Sequence, residues 1–597
     1  MPHPLHYDIR PASLNAHRWA VTLTIARPQA LQRVALPVWI PGSYLVREFA
    51  RHVSGLTARQ GRAVCPAQAV DKCTWQVQAA PGKPLVIRYE VYAFDDSVRA
   101  AWLDAARGFF NATALLLRVP ELADGPHAIT LHRPADPTAA HWRVATALTA
   151  QSVDTGGFGS YLAASYDELA DSPVEMGAFW QGEFSVRGVP HRFVVAGAPP
   201  SFDDQRLLRD AQKICEAAAC LWHGARGKPP QPHYLFMLNA TPGGYGGLEH
   251  RCCTALICAR RDLPRLGQSD ASEGYTALLG LISHEYFHTW NVKRLRPAEF
   301  ARYDYGQENY TRLLWFFEGF TSYYDDLLLL RAGLMDRVAY LKLLAKSLNQ
   351  VWQTPGRHVQ PVAEASFDAW VKYYRPEAHT PNATVSYYAK GALVALCLDL
   401  SLRREKQPAT LDDAMRLLWR RCKAGPMTES DVAAALQELT GRSFAAELAA
   451  WVHGTQELPV AELLAAHGIT ATRQPPTPAQ TLGLRASEKN GLVTLTHVLD
   501  GGAAQAAGMA PGDEWLGVET GDEETGANAH AGWRLAALDD LPLYLRPGRR
   551  ALALISRQGR LLRLPLALPE KAEGAWKLEA AASAGREGRA SQGWPWH

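Results

Sequence analysis

His284-Glu285-Tyr286-Phe287-His288 lies in a proline-free stretch, Glu273 to Lys293, where Leu278, Leu279, Leu281 and Ile282 supply an apolar face. That pattern predicts a buried helix. Residues four apart lie about 40° from each other around a helix, so both imidazoles can reach one ion. Glu285 then points beside the ion, where a bound water would sit. H-E-x-x-H in this setting is a zinc-peptidase signature: two histidine ligands and a carboxylate placed as general base. The alternative is a helix whose two histidines are hydrogen-bonded in the core.

A third ligand decides between these readings. A zinc site of this kind needs a carboxylate from a second helix and an open fourth position for water. Downstream, Leu314-Trp315-Phe316-Phe317-Glu318-Gly319-Phe320 is strongly apolar with one acid inside. An unpaired buried carboxylate costs several kcal/mol, so Glu318 needs a partner, and a metal is the best on offer. The competing reading is a Glu exposed on the polar side of an amphipathic helix.

Ahead of the helix, Tyr234 to Leu238 reads as a strand leading into Gly243-Gly244-Tyr245-Gly246-Gly247-Leu248-Glu249-His250. Glycines before an acid let the backbone approach a ligand closely and act as an extra strand for an extended peptide. Gly246 and Gly247 are thus predicted to bind substrate. A glycine-rich hairpin with an exposed Glu is the alternative.

Several of these strings resemble a known family. H-E-x-x-H-x-W, His284 to Trp290, followed by E-G-F-x-x-Y, Glu318 to Tyr323, is similar to the gluzincin aminopeptidases of the aminopeptidase N type. The block Trp290-Asn291-Val292-Lys293-Arg294-Leu295-Arg296-Pro297 resembles the glycyl aminopeptidases (peptidase family M sixty-one) more closely. So does the long spacer between His288 and Glu318. The resemblance implies that His284, His288 and Glu318 hold one Zn²⁺ and that Glu285 is the catalytic base. Gly246 to His250 is similar to the exopeptidase motif G-x-M-E-N, with Leu and His in place of Met and Asn, which makes Glu249 the anchor for the substrate's α-ammonium. Tyr387-Tyr388-Ala389-Lys390-Gly391 is similar to the Y-x-K-G segment, which makes Tyr388 the donor to the tetrahedral oxyanion and leaves Tyr387 to the core. It also implies a preference for N-terminal Gly or Ala.

Length and composition bound the rest. A chain of 597 residues has room for three to four domains. With 62 basic and 59 acidic residues, net charge +3, there is no electrostatic case for nucleic acid. The small Lys293-Arg294-Arg296 cluster reads as a solvated or salt-bridged turn, with a substrate-carboxylate contact as the alternative. Nine cysteines without regular spacing argue for a reducing compartment. Cys252-Cys253 reads as buried packing. No basic-then-apolar leader and no run of about eighteen apolar residues is seen, so the expectation is a cytoplasmic protein that does not span a membrane.

The predicted architecture is multidomain α+β. Residues 1–175 read as an N-terminal β-rich domain, with strands at Trp19–Ile25 and Leu85–Tyr92 and a sharp turn at Pro41-Gly42. Its Trp39–His52 segment is similar to the family's β-domain, which helps close the substrate's N-terminal end. Glu48 reads as a surface salt bridge or, alternatively, a contributor there. Residues 176–470 are the thermolysin-like, mostly helical catalytic domain. After the proline-rich linker Arg473 to Pro478, residues 478–568 resemble a protease-type PDZ domain whose L-G-L loop, Leu482 to Leu484, presents backbone N–H groups to a peptide C-terminus. A rigid shield beside the active site is the other reading of that module. The tail 569–597, with Trp576, Trp594 and Trp596, reads as loosely ordered.

The expected activity is zinc-dependent removal of N-terminal residues from peptides with a free N-terminus. Two rivals stand beside it: a zinc endopeptidase using the same ligands in an open cleft, and a PDZ-led peptide-binding scaffold.

Overall fold

Alternation in Arg18–Ile25 puts Trp19, Val21, Leu23 and Ile25 on one face, and all four are buried. The same period-two rule buries Leu85, Ile87, Tyr89 and Val91 in the neighbouring strand Leu85–Tyr92. These strands belong to an eight-stranded sheet whose order is Thr149–Val153, Gly159–Ala163, His127–Leu131, Leu5–Ser13, Arg18–Ile25, Leu85–Tyr92, Val53–Gln60 and Ala63–Cys65. All its pairs are antiparallel except Leu5–Ser13 with His127–Leu131. Trp19, Tyr7, Phe110, Trp142 and Tyr166 fill the core behind it.

The computed structural model describes residues 3–520 and 532–580. Its contacts divide the chain into two units. The first comprises Met1–Thr311, Tyr324–Met335 and Met415–Asp431; the second comprises Arg312–Tyr323, Asp336–Ala414 and Val432–His597.

After the β-rich part, the first unit builds a five-stranded sheet in the order Trp180–Val186, Val189–Ala196, Tyr234–Thr241, Cys253–Ala259 and Tyr245–Glu249. The last strand is at the edge and antiparallel to its neighbour. Helices Asp204–His223 and Glu273–Phe287 pack together, and the second also lies against the strands Tyr245–Glu249 and Cys253–Ala259. The sheet edge and the metal-motif helix are therefore neighbours.

In the second unit, helix Tyr387–Leu402 is buried nearly all round and packs against Leu314–Phe317, Arg337–Trp352, Val362–Phe367 and Val460–Ala465. By length and composition, Thr380–Leu402 is apolar enough to cross a membrane, a stretch the sequence reading passed over. In the structure 83% of its most apolar window is buried inside the protein, which is how a core helix behaves. Farther on, Leu484–Lys489, Leu492–Val498, Glu514–Glu519, Arg550–Arg557 and Arg560–Ala567 form a sheet around Trp515 and Ile555. Part of the tail expected to be loose is ordered: Trp576–Ala580 pairs with Ile469–Arg473, and Asn349 bonds the Trp576 backbone from both sides of its amide. Trp594 and Trp596 lie outside the described residues.

The multidomain α+β architecture, β-rich at the N-terminus and helical where the motifs lie, is the one the sequence patterns predict. Trp19 is the test of the first core. Trp19→Ala is expected to cost about 3–5 kcal/mol, read as a lower denaturant midpoint; a loss below about 1 kcal/mol would mean that the indole is not a core anchor.

Candidate active site

Ser272 caps the motif helix, its hydroxyl accepting the Tyr275 N–H at 3.0 Å. From there Leu278, Leu279, Leu281 and Ile282 turn inward and carry His284, Glu285 and His288 with them. The two imidazoles stand with ring centroids 4.8 Å apart and planes at 83°. His284 Nδ1 is 3.1 Å from Asp325 Oδ2, and His288 Nδ1 is 2.8 Å from the Asn291 carbonyl. An acceptor at each Nδ1 puts the ring proton there and turns the lone pair onto Nε2, the arrangement seen in metal-binding histidines. Burial pushes the Asp325 carboxyl above its ordinary pKa, and His284 pulls the other way.

The edge strand Tyr245–Glu249 passes directly over the base. A methyl at Gly247 would overlap the Glu285 carboxylate and force it to shift. Glu249 is buried, and ligand atoms of Glu249, Glu285 and His288 lie within 4.8 Å of one another. The predicted amine anchor is thus brought to the predicted base. Behind it is the Pro41-Gly42 turn. A Cβ on Gly42 would come within 2.5 Å of Glu249 Oε2, and Gly42 itself has φ +90°. Glu48 makes the surface ion pair, at 2.7 Å with Lys72.

The basic block after the helix is buried rather than solvated. Lys293 Nζ is 2.7 Å from Asp171 Oδ1, and His250 Nδ1 is 3.1 Å from the same oxygen. Despite burial, these partners hold the Asp171 carboxyl well below the usual carboxylate range. Burial alone would lower Lys293, but Asp171 and then Glu249 push it up to about 12. Arg294 donates to the Thr289 carbonyl. Val292 sits at φ +104°, an outlier for a β-branched side chain, inside a turn closed by Val292 N–H to Leu295 O and Lys293 N–H to His288 O. Cys253 is packed in a small core with its thiol pushed far up by burial, so packing describes it.

Within the second unit, Glu318 is 2% exposed and ends the turn Leu314–Phe317 just before helix Gly319–Arg331. That settles burial over the exposed alternative. A Cβ on Gly319 would lie 2.5 Å from Gly391 Cα, so the Glu318 segment and helix Tyr387–Leu402 meet at a pair of glycines. Ser386 caps the latter helix, its hydroxyl accepting the Ala389 N–H. Tyr387 is in the core, while Tyr388 is half-buried with its hydroxyl 3.3 Å from that of Tyr374. Burial, then the charge of Glu318, pushes the Tyr388 phenol well up, keeping it protonated and able to donate.

Sequence reasoning missed Asp171, Asp325 and Tyr374. Asp325 had a usable signal: it follows Glu318 by two helical turns. Asp171 and Tyr374 had none, because only folding brings them to their partners.

Comparison with known proteins agrees in kind. A family profile described as M61 glycyl aminopeptidase matches residues 277–394, and one described as the peptidase M61 N-terminal domain matches residues 6–178. A solved aminopeptidase N family protein from Idiomarina loihiensis is similar at 34% identity and TM-score 0.90, over 96% of this chain and 98% of that one. An M1 zinc metallopeptidase from Deinococcus radiodurans is a distant neighbour at 15% identity and TM-score 0.46, over 77% of this chain and 96% of that one. No curated protein matches the sequence.

The buried Lys293–Asp171–His250 cluster yields a test. Lys293→Met leaves the Asp171 carboxylate buried without its ammonium and is expected to cost about 3–5 kcal/mol. Because the Asp171 pKa is lowered on folding, its contribution is complete above its ordinary value of 3.8 and fades as pH falls below it. Denaturant melts from pH 7 down to pH 2 should show the wild type converging on the variant at acid pH. A constant gap between them would refute the linkage.

Proposed function

This chain belongs to the M61 glycyl aminopeptidase family, a family of peptide-bond hydrolases, and from that premise we propose a zinc aminopeptidase that removes N-terminal residues, Gly or Ala by preference, from peptides. The observation that carries it is the meeting of Glu249, Glu285 and His288 within 4.8 Å. An amine anchor this close to the base fixes how far a peptide can enter before its first bond reaches the reacting centre.

The residues fit a zinc ion. His284, His288 and Glu318 are the donors that would hold it, two imidazole nitrogens and one carboxylate oxygen. Support for Glu318 comes from its helix: Asp325, two turns along the same face, is the residue bonded to His284. A zinc ion there would act as Lewis acid and lower the pKa of its water from 15.7 towards about 7.

The chain's own groups do the rest. Glu249 takes the substrate's α-ammonium, and the Gly42 turn against it closes the cleft on that side. The edge strand Tyr245–Glu249 receives the peptide backbone as an added strand, Gly246 and Gly247 bearing no side chains of their own, once Arg99 yields the Gly247 carbonyl it bonds at 3.3 Å. Glu285 accepts a proton from the attacking water and delivers it to the leaving amine. Tyr388 donates to the developing oxyanion. The closed end favours an exopeptidase over the endopeptidase rival.

The module at 478–568 is proposed as a PDZ domain. Its strand Leu484–Lys489 lies at a sheet edge beside Gly483 at φ +69°, as β-augmentation by a peptide C-terminus requires. The nine free cysteines agree with a cytoplasmic setting.

The decisive experiment is hydrolysis of glycyl, alanyl and leucyl amides, each with and without N-acetylation and with and without a chelator. Turnover of the free amines, highest for glycyl or alanyl, should vanish on acetylation and on chelation. Persistence after acetylation would make the protein an endopeptidase, and equal rates on leucyl amides would remove the small-residue preference.

Separate variants apportion the chemistry. Glu285→Gln should lower kcat about 10²–10⁴-fold while bound zinc, read by atomic absorption, stays stoichiometric. Tyr388→Phe should lower kcat about 10²–10³-fold with KM little changed. Wild-type kcat in either variant would remove that residue from the mechanism.

A further inference from the structure

Lys390 is 2% exposed, yet among the described residues its ammonium takes no hydrogen bond or ion pair. It lines a cavity of 260 Å³ between helices Arg337–Trp352 and Tyr387–Leu402, the segment 455–461 and the strand pair Ile469–Arg473 with Trp576–Ala580. An ammonium in such a place gives up much of its hydration, and only the charge of Glu457, beyond ion-pair distance, offsets part of that loss. Burial accordingly pulls its pKa down to about 8.

The other charges at the cavity are already spoken for. Arg357 donates to Glu457 at 2.9 Å. Arg473 lies between the Trp352 and Trp576 rings, 3.8 and 3.5 Å from their centroids, and pairs with Glu573. Glu457 is thus the one acid on the wall, its charge shared by Arg357 and, less directly, Lys390, so the lining keeps an excess of positive charge facing a space walled by Leu348, Leu393 and Val460. That combination calls for one negative charge on a small apolar body. The volume lies just under the range of about 300–1,000 Å³ typical of small-ligand pockets, which sets the size.

We propose that this cavity is a binding site for a small aliphatic carboxylate, its anionic head on the Lys390 ammonium and its hydrocarbon against Leu393 and Val460. A free short-chain acid and the C-terminal residue of a peptide share that chemistry. The site is separate from the aminopeptidase reading and does not depend on it.

The test is calorimetric titration of the intact protein with 3-methylbutanoate, N-acetyl-leucine and the neutral control 3-methylbutanamide. Each is run with and without 1,10-phenanthroline, so that carboxylate binding to a metal is separated. One-to-one binding of a carboxylate in both conditions is expected, with the amide at least tenfold weaker. The tighter of the two acids identifies the source. Lys390→Met and the cavity-filling Ala461→Leu should each weaken binding at least tenfold. Should Lys390→Met not fold, wild-type labelling serves: 3-methylbutanoate should slow modification of Lys390 by an amine reagent, read by peptide mass mapping. No binding to wild type, equal binding of the amide, undiminished binding to Lys390→Met, or labelling indifferent to 3-methylbutanoate would each overturn the proposal.

Discussion

Two carboxylates and an imidazole, those of Glu249, Glu285 and His288, share one spot with their ligand atoms within 4.8 Å, and all three residues are buried. Like charges that close repel, and each loses hydration on burial. A fold keeps such a cluster only if cationic groups offset it and rigid elements hold it. Lys293, locked to Asp171, supplies one offsetting charge, and Glu249 in turn helps hold that lysine protonated. The substrate's ammonium and a divalent ion would supply the others when bound. The cluster is therefore poised for cationic ligands.

The scaffold around it is stiff. Glycine at 247 lets the edge strand lie directly on Glu285, and a side chain there would displace the carboxylate. The turn after the helix is closed by several backbone bonds and tolerates Val292 in a strained conformation, which the surrounding contacts must stabilise. Acceptors at both Nδ1 atoms settle the tautomers and orientations of the two rings in advance. In the second unit the contact of Gly319 with Gly391 brings the Glu318 segment against the Tyr388 helix without side chains between them. Pre-organisation of this sort is what allows a few groups to stabilise charge that develops only during reaction.

The two buried lysines show how differently one residue type can be used. Lys293 has its carboxylate and is held charged, so it belongs to the structure. Lys390 has no carboxylate at ion-pair distance among the described residues and faces a cavity, so its burial is unexplained by packing alone. The contrast lies in the surroundings, since both are nearly inaccessible and both follow a motif that sequence patterns pick out.

Much of the site could be read from one dimension, because its chemistry is built on local spacing. Two histidines four apart share a helix face wherever a helix forms, an acid inside an aromatic run must find a partner, and glycines before Glu249 announce a close approach. Alternating apolar residues likewise forecast the strands around Trp19 and Leu85. What no local pattern carried was everything that depends on distant segments meeting: Asp171 beneath Lys293, Gly42 against Glu249, Tyr374 beside Tyr388, and the strand that Trp576 makes in a tail that looked unstructured. The stretch Thr380–Leu402 passes by length and composition as a membrane span, which the sequence expectation did not register, and packing shows it enclosed by other helices. Periodicity tells which face of an element turns inward, but only the folded chain decides what that face meets, because those partners are chosen by long-range packing and by the need of each buried charge to find its counterpart.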